Sequence, residues 1–195
     1  MGRIYYIMGK SATGKDTVYK ELLMRCPGVK TIVPYTTRPI REGETNGIEY
    51  HFATNDKLEE FRNSGKVIEL RTYQTIMGLW NYFTMDDGQF DLESEQNYLM
   101  IGTLESYEKM CLYFGTDVLS PIYIEVPDGI RLHRAVVREE HQKEPNYREV
   151  CRRYLADETD FSEENLKRLR IEKRFCNLDL EQCLEEILQN NRLEG

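Results

Sequence analysis

Long apolar runs and an excess of positive charge are both missing from this sequence. The first apolar run, "IYYIM" at residues 4–8, is far shorter than a signal-peptide core or the ~20 residues of a membrane span. The formal net charge is −8 at pH 7, whereas proteins that coat nucleic acids or anionic membranes carry clustered positive surface. We therefore expect a cytoplasmic protein whose partners include neither nucleic acid nor membrane.

Cysteine is scarce and never occurs in the CxxC spacing that is typical of zinc sites. The chain has five cysteines, an odd number, which favours reduced thiols over a disulfide framework or a metal knot. With 195 residues, of which 40% are hydrophobic and 31% charged, the chain is long and apolar enough for one packed core. We expect a single domain with inserted subdomains.

Short apolar runs alternate with segments of helical period, and this alternation predicts the fold class. After the run at residues 4–8, Val18, Leu22 and Cys26 fall on one helical stripe, and Pro27 and Gly28 end the predicted helix. The sequence therefore predicts an α/β fold with a parallel sheet flanked by helices. The strand-length runs are Ile4–Met8, Val67–Leu70, Tyr98–Ile101 and Pro121–Val126.

Two segments depart from this alternation of apolar runs and helical segments. Residues 33–91 contain short β-like pieces, including an Asn46-Gly47 turn signal and the alternating "IEYHF" at 48–52, which predict a small inserted sheet. Residues 128–153 are charged and helical around a proline-containing break, which suits a mobile lid. Residues 1–32, 92–127 and 154–195 are the predicted core.

The stretch "GKSATGKDT", from Gly9 to Thr17, nearly matches the phosphate-binding pattern GxxxxGK[ST]. Glycine-rich loops between a strand and a helix aim backbone N–H groups and the helix dipole at one anion, and Lys15 would contact the outer phosphates. The alternative is an ordinary strand-to-helix turn with a solvated lysine. The predicted ATP-binding residues here are Gly9, Ser11, Ala12, Thr13, Gly14, Lys15, Asp16 and Thr17.

Asp16 stands where the pattern has a hydroxyl that ligates Mg²⁺. A carboxylate also suits this hard cation, so Mg²⁺ accompanying ATP is the predicted cofactor and Asp16 its predicted ligand. Two alternatives remain at this point. Thr17 could be the more important oxygen, and Asp16 could instead be a cap of the first helical turn.

A second candidate anion site lies in "YTTRPIREGETNGIEYHF", residues 35–52. Arg38 and Arg41 flank a rigid Pro39, and guanidinium groups match phosphate oxygens bidentately, while Tyr50 offers another donor. Taken singly, these residues could equally be surface arginines and a core tyrosine.

The order of these motifs resembles the guanylate kinase family, in which a phosphate loop precedes a T-x-R-x-x-R-x-G-E-x-x-G-x-x-Y-x-F run. The resemblance continues at Glu69, at Arg134–Arg138, at Arg153 and at Phe175–Cys183. In the run itself the matching residues are Thr36, Arg38, Arg41, Gly43, Glu44, Gly47, Tyr50 and Phe52.

This resemblance implies a P-loop kinase that transfers the γ-phosphoryl group of ATP to a nucleoside monophosphate, with GMP favoured. Glu69 would accept from N1–H and the 2-amino group of guanine, with Thr84 beside it, whereas adenine presents a lone pair at N1. The implied acceptor-binding residues are Arg38, Arg41, Tyr50, Glu69, Tyr82 and Thr84. The implied catalytic residues are Lys15, Arg41, Arg138 and Arg153, and Arg134 and Asn177 join the ATP-binding set.

Three positions depart from the family pattern. Pro34 replaces a phosphate-contacting serine, Gly102 replaces an aspartate that helps to hold guanine, and the spacing between Glu69 and Tyr82 is longer. Two alternative functions follow: a kinase for another nucleotide or phosphate ester, or a non-catalytic guanylate-kinase-like binding module. Taken alone, Glu69 could be a solvated strand carboxylate. The expected assembly is a monomer or a homodimer.

Overall fold

The structure is a computed structural model that describes residues 2–41, 43–75 and 78–193. Met1, Glu194 and Gly195 of the predicted core and Glu42, Ile76 and Met77 of the predicted insert lie outside the described residues. The elements are β1 (Ile4–Met8), α1 (Lys15–Arg25), β2 (Lys30–Thr31), β3 (Tyr35–Thr36), β4 (His51–Phe52), α2 (Asn55–Asn63), β5 (Val67–Thr75), β6 (Gly78–Met85), β7 (Tyr98–Ile101), α3 (Leu104–Phe114), β8 (Leu119–Glu125), α4 (Asp128–Glu140), α5 (Tyr147–Asp160), α6 (Glu163–Arg168), β9 (Arg174–Cys176) and α7 (Leu180–Asn191).

A five-stranded sheet in the order β2-β7-β1-β8-β9 forms the centre of the molecule, and every neighbouring pair in it is parallel. Side chains of β1 alternate between two hydrophobic clusters: Tyr6 and Met8 pack into one, and Tyr5 and Ile7 into the other. Both faces of this strand are therefore covered, as a parallel sheet requires. The predicted α/β fold is confirmed.

Helix α1 follows β1 as the sequence predicts. Val18 and Leu22 are buried beneath it, and the helix ends at Arg25 with the buried Cys26 as C-cap. The Cys26 N–H donates to the carbonyl of Leu22. This pairing of β1 with α1 holds the intervening loop between two buried elements.

A second sheet, in the order β4-β3-β6-β5, contains most of the predicted insert. The run Val67–Leu70 belongs to this sheet and pairs antiparallel with β6, so its grouping with the strands of the parallel sheet was wrong. The expected strand over 48–52 is reduced to His51–Phe52. Ile48 is 65% exposed, so the apolar alternation there does not reflect burial.

The segment predicted as β-like also contains a helix, α2. The Thr54 hydroxyl accepts from the N–H of Lys57 and caps this helix, and Leu58 is its buried contact. Threonine is a common N-cap residue, but this helix has few apolar residues, so its sequence shows only a weak helical periodicity of hydrophobic positions.

The charged segment forms α4 and α5, two helices that contact each other across the proline-containing connection. Helix α5 runs on to Asp160, so the predicted lid boundary at residue 153 falls inside it. Within the described ranges, no helix combines the length and the apolar character that crossing a membrane would take.

Candidate active site

The loop between β1 and α1 is held in shape by two glycines. A β-carbon added at Gly9 would lie 2.5 Å from the carbonyl oxygen of Ile124. Gly14 is the N-cap of α1 with φ 84°, a left-handed conformation, and a β-carbon there would lie 2.5 Å from Nδ2 of Asn177. Glycine is therefore required at both positions by close approach, and at Gly14 also by backbone conformation.

Several predicted ATP-binding residues stabilise the loop through hydrogen bonds. Asn177 donates from Nδ2 to the carbonyl of Thr13 at 2.8 Å, and Arg134 donates to the carbonyl of Asn177 at 3.2 Å. The Thr13 hydroxyl donates to the carbonyl of Lys10 at 2.9 Å. These buried bonds connect the loop to the segment after β9, so Asn177 and Arg134 fix the loop's shape.

Lys15, Asp16 and Thr17 stand at the open end of the loop. The Lys15 side chain is 24% exposed with its ammonium 3.8 Å from Asp16, whose own side chain is 77% exposed. Gly14 is the N-cap of α1, and no side chain among the described residues makes a capping bond there. Asp16 therefore contributes charge near the helix N-terminus but no capping hydrogen bond.

An arginine that the sequence analysis did not single out is central to the helices beside the loop. Arg131 is 1% exposed, donates from Nε to Asp128 at 2.7 Å and also pairs with Glu158. Its Nη1 lies 3.5 Å from Asp157, and its guanidinium stacks 4.1 Å from the centre of the Tyr154 ring. Arg131 thus ties α4 to α5.

The same acidic residues of α5 contact the phosphate loop. Asp157 accepts a hydrogen bond from the N–H of Ser11 at 2.7 Å, and Glu158 accepts from Lys10 at 2.7 Å. A loop N–H is therefore already bonded to an anionic group, which agrees with a loop whose backbone attracts negative charge.

The two predicted catalytic arginines of the lid are brought together. Arg138 and Arg153 line a cavity of about 130 Å³ whose wall also includes Ser11 of the loop and Glu149. Arg153 donates to Glu149 at 2.8 Å. Both arginines thus share a cavity with Ser11 of the phosphate loop.

A larger cavity of about 570 Å³ lies next to Lys10 and Thr13. Its wall includes Glu125, Asp128 and Glu163. A carboxylate-lined cavity repels phosphates, so the candidate phosphate site is the loop itself and its arginine-lined side.

On the second sheet, Arg38 is bound to Glu44. The guanidinium donates from Nη1 to Oε2 at 2.7 Å and from Nη2 to Oε1 at 2.5 Å, and it lies 5.0 Å from the centre of the Tyr50 ring. The Arg38 guanidinium lowers the pKa of Glu44 from 4.5 to about 2. Glu44 also accepts from the N–H of Arg41, whose exposed guanidinium lies 6.0 Å from the Trp80 ring, so one carboxylate orders both arginines.

Thr84 lies beside Glu69 and Tyr82 lies opposite Arg71, because the longer spacing is taken up by the β5–β6 hairpin. Glu69 is paired with Thr84 in the sheet register, and the Thr84 hydroxyl donates to its Oε1 at 2.9 Å. Glu69 is 3% exposed, so a solvated strand carboxylate is excluded. The ring of Tyr82 meets that of Tyr50 edge-on, with centroids 5.7 Å apart.

The phosphate loop and the insert interact electrostatically. Burial raises the pKa of Tyr50, Tyr82 and Asp16 raise it further, and Arg71 and Arg38 oppose them. Asp16 belongs to the phosphate loop and Tyr50 to the insert, so a charge on the loop acts on a candidate acceptor residue.

Comparison with known proteins points to one family. A sequence model described as guanylate kinase matches residues 1–79. A guanylate kinase of Chlorobium luteolum is 27% identical over 197 aligned positions, which cover 100% of this chain and 86% of that protein. The chain is similar to guanylate kinases.

Other guanylate kinases match the chain less completely. One from Neisseria gonorrhoeae is 38% identical over 82 residues, which cover 42% of this chain and 38% of that protein. The crystal structure of a guanylate kinase from Anaplasma phagocytophilum aligns with a TM-score of 0.67 at 17% identity, covering 98% of this chain and 85% of that one. The structural match supports the same fold.

The pairing of Arg38 with Glu44 predicts a pH-dependent stability. Because the folded-state pKa of Glu44 is lowered from 4.5 to about 2, its stabilisation is fully present above about pH 5 and is lost as the pH falls through 2. We expect Glu44→Gln to be less stable than the wild type near neutral pH, with a difference that shrinks towards pH 2. Urea unfolding at several pH values measures it.

Glu60→Gln is the control, because Glu60 forms an exposed pair with Lys57. Exposed pairs contribute about 0–1 kcal/mol, so this variant should stay near the wild type. A Glu44→Gln difference that is the same at pH 3 and pH 7 would contradict the role given to Arg38.

Proposed function

We propose that this protein transfers the γ-phosphoryl group of ATP to GMP, forming ADP and GDP. The observation that carries the proposal is the combination of a glycine-shaped phosphate loop bearing Lys15 with a buried Glu69–Thr84 pair on the second sheet. The similarity to guanylate kinases agrees with it.

On the donor side, the loop from Gly9 to Thr17 binds the outer phosphates of ATP. Lys15 is partly exposed and can reach these phosphates. Arg138 and Arg153 line a cavity together with Ser11 of the loop. Phosphoryl transfer needs positioning and neutralisation of charge on the equatorial oxygens more than covalent help. These three cations supply that neutralisation.

On the acceptor side, Arg41, Tyr50 and Tyr82 contact the phosphate of the monophosphate, with Arg38 held in place by Glu44. Glu69 accepts from the N–H edge of the base, and Thr84 keeps that carboxylate oriented. The buried Glu69 carboxylate disfavours adenine, because adenine presents a lone pair at N1. That lone pair repels the carboxylate and leaves it without a hydrogen-bond donor from the base.

Mg²⁺ fits the oxygen donors at the open end of the loop. The Asp16 carboxylate is exposed beside Lys15, and the exposed Thr17 hydroxyl follows it. The described part of the chain has no cluster of three or more acidic, histidine or cysteine ligands, which suits an ion held mainly by phosphates and waters. When bound with ATP, Mg²⁺ neutralises phosphate charge, and Asp16 and Thr17 would hold it.

We expect Asp16→Ser to bind metal-free ATP more tightly than the wild type and to depend less on Mg²⁺. The exposed Asp16 carboxylate repels phosphates unless a cation lies between them, whereas a hydroxyl is neutral. Titration calorimetry with ATP, in the presence of Mg²⁺ and of a chelator, measures both effects. If the ATP affinity of the two proteins depended equally on Mg²⁺, Asp16 would not be a metal ligand, and its only role would be its favourable charge near the N-terminus of α1.

The test of the proposed function is ADP production from Mg-ATP with GMP, dGMP, AMP, CMP, UMP and IMP supplied separately. The 6-oxopurine nucleotides should be used and AMP and the pyrimidine nucleotides should not. Faster turnover of AMP or of a pyrimidine nucleotide would make the protein a kinase for another acceptor. Phosphate-dependent binding without ADP production in any reaction would favour the non-catalytic module.

A further inference from the structure

Arg71 is a buried arginine in direct contact with the proposed base site. It lies two residues after Glu69 on β5 and opposite Tyr82 in the sheet register. Burial lowers the pKa of Arg71, but the charge and hydrogen bonds of Glu69, together with Tyr6 and Tyr73, outweigh this effect and leave the pKa raised, so the arginine is a cation beside a carboxylate.

The hydrogen bonds of Glu69 are largely used by its protein neighbours. Arg71 donates from Nε to Oε2 at 2.9 Å and from Nη2 to Oε1 at 3.2 Å, and Thr84 donates to Oε1 at 2.9 Å. An ionised carboxylate offers about four acceptor positions, so these donors fill three of them. A single acceptor position remains, on Oε2.

The other acceptor in contact with Arg71 is also occupied. The Thr103 hydroxyl accepts from Nη1 of Arg71 at 3.1 Å and, as the N-cap of α3, from the N–H of Ser106 at 3.2 Å. A hydroxyl has two acceptor lone pairs, so both are used. The preceding residue, Gly102, carries no side chain, and a β-carbon there would collide with the hydroxyl of Tyr6.

We propose that Arg71 sets the base specificity of the acceptor site by leaving Glu69 one free acceptor position instead of three. The site then reads N1–H, which guanine and hypoxanthine share, and does not read the 2-amino group that distinguishes guanine. GMP and IMP are therefore used with similar efficiency. This inference rests on the proposed function, because it assigns the ligand that faces Glu69.

The experiment measures kcat/KM for GMP, IMP and AMP, with ADP production as the readout, in the wild type, Arg71→Ala and Arg62→Ala. We expect the wild-type GMP-to-IMP ratio to be below about 10, since a read 2-amino group contributes one hydrogen bond to a charged acceptor, about 10-fold or more. Arg71→Ala frees two acceptor positions, so the ratio should rise about 10-fold. Arg62 is an exposed arginine of α2 paired with Glu59, so its variant should keep the wild-type ratio.

Because the ratio compares two substrates on one protein, a general loss of folded or active enzyme cancels from it. A wild-type ratio above about 10, or an unchanged ratio in folded Arg71→Ala, overturns the role of Arg71 and leaves GMP phosphorylation standing. If Arg71→Ala does not fold, the wild-type ratio decides alone. If neither GMP nor IMP yields ADP, or AMP is used faster than both, the proposed function fails and this inference with it.

Discussion

Replacing Lys15 with alanine is expected to reduce kcat by about 10²–10³-fold or more, the size of effect seen when one preorganised charge donor is removed from a transition state. Lys15 lies at the first position of α1, where the loop N–H groups and the helix dipole already point at the phosphates. The measurement is steady-state ADP production with saturating Mg-ATP and GMP.

The fold should not change, because the Lys15 side chain is part of the loop opening and outside the buried clusters. Circular dichroism and the thermal midpoint of the variant test this. Lys20→Ala is the matched control: it is an exposed lysine on the same helix and should keep wild-type turnover. Wild-type turnover in a folded Lys15→Ala protein would remove the loop from the mechanism.

Replacing Arg131 with methionine is expected to lower the free energy of unfolding by about 3 kcal/mol, the lower end of the range for breaking a buried ion pair by removing one partner. Arg131 is 1% exposed and contacts carboxylates of both α4 and α5. Methionine keeps the apolar volume but leaves the largely buried Asp157 without its cation. Urea unfolding at neutral pH measures the change.

The control for this variant is Arg152→Met on α5. Arg152 is exposed and donates to Glu149, and exposed ion pairs of this kind contribute about 0–1 kcal/mol. If Arg131→Met lowered the free energy of unfolding no more than Arg152→Met does, the proposed role of Arg131 would be contradicted. The carboxylates around it would then be stabilised by solvent and not by the arginine.

The parts of the fold that the sequence predicted well are those in which local pattern and burial agree. The strand Ile4–Met8 and the stripe at Val18 and Leu22 were found because their apolar residues are buried in the structure. The alternation at residues 48–52 predicted a longer strand than exists, because Ile48 faces solvent. Periodicity predicts structure only where burial accompanies it.

The candidate site was predicted where a motif has fixed spacing. The loop glycines and Lys15 follow directly from the motif, and Thr84 lies beside Glu69 because β5 and β6 pair as a hairpin. Arg131 was missed, although its spacing of three and seven residues from Arg134 and Arg138 puts all three on one helical face.

Arg71 and the acidic residues of α5 had no comparable signal. Arg71 lies two residues after Glu69, so a strand places both side chains on one face, but the contact of Arg71 with Thr103 at the start of α3 depends on the packing of α3 against β5. Asp157 reaches the N–H of Ser11 only through the packing of α5 against the loop. Contacts between distant segments are set by tertiary structure, which a single sequence does not encode in its spacing.

The order of the parallel sheet also governs how the chain folds during synthesis. Strand β1 is made before both of its neighbours, which lie far along the chain, since Ile4 pairs with Tyr98 on one side and Leu119 on the other. Strand pairings of such long range close large loops and are slow to form. Strand β1 therefore waits, apolar and without its partner strands, until β7 has been translated, and this interval is when aggregation or chaperone capture competes with folding.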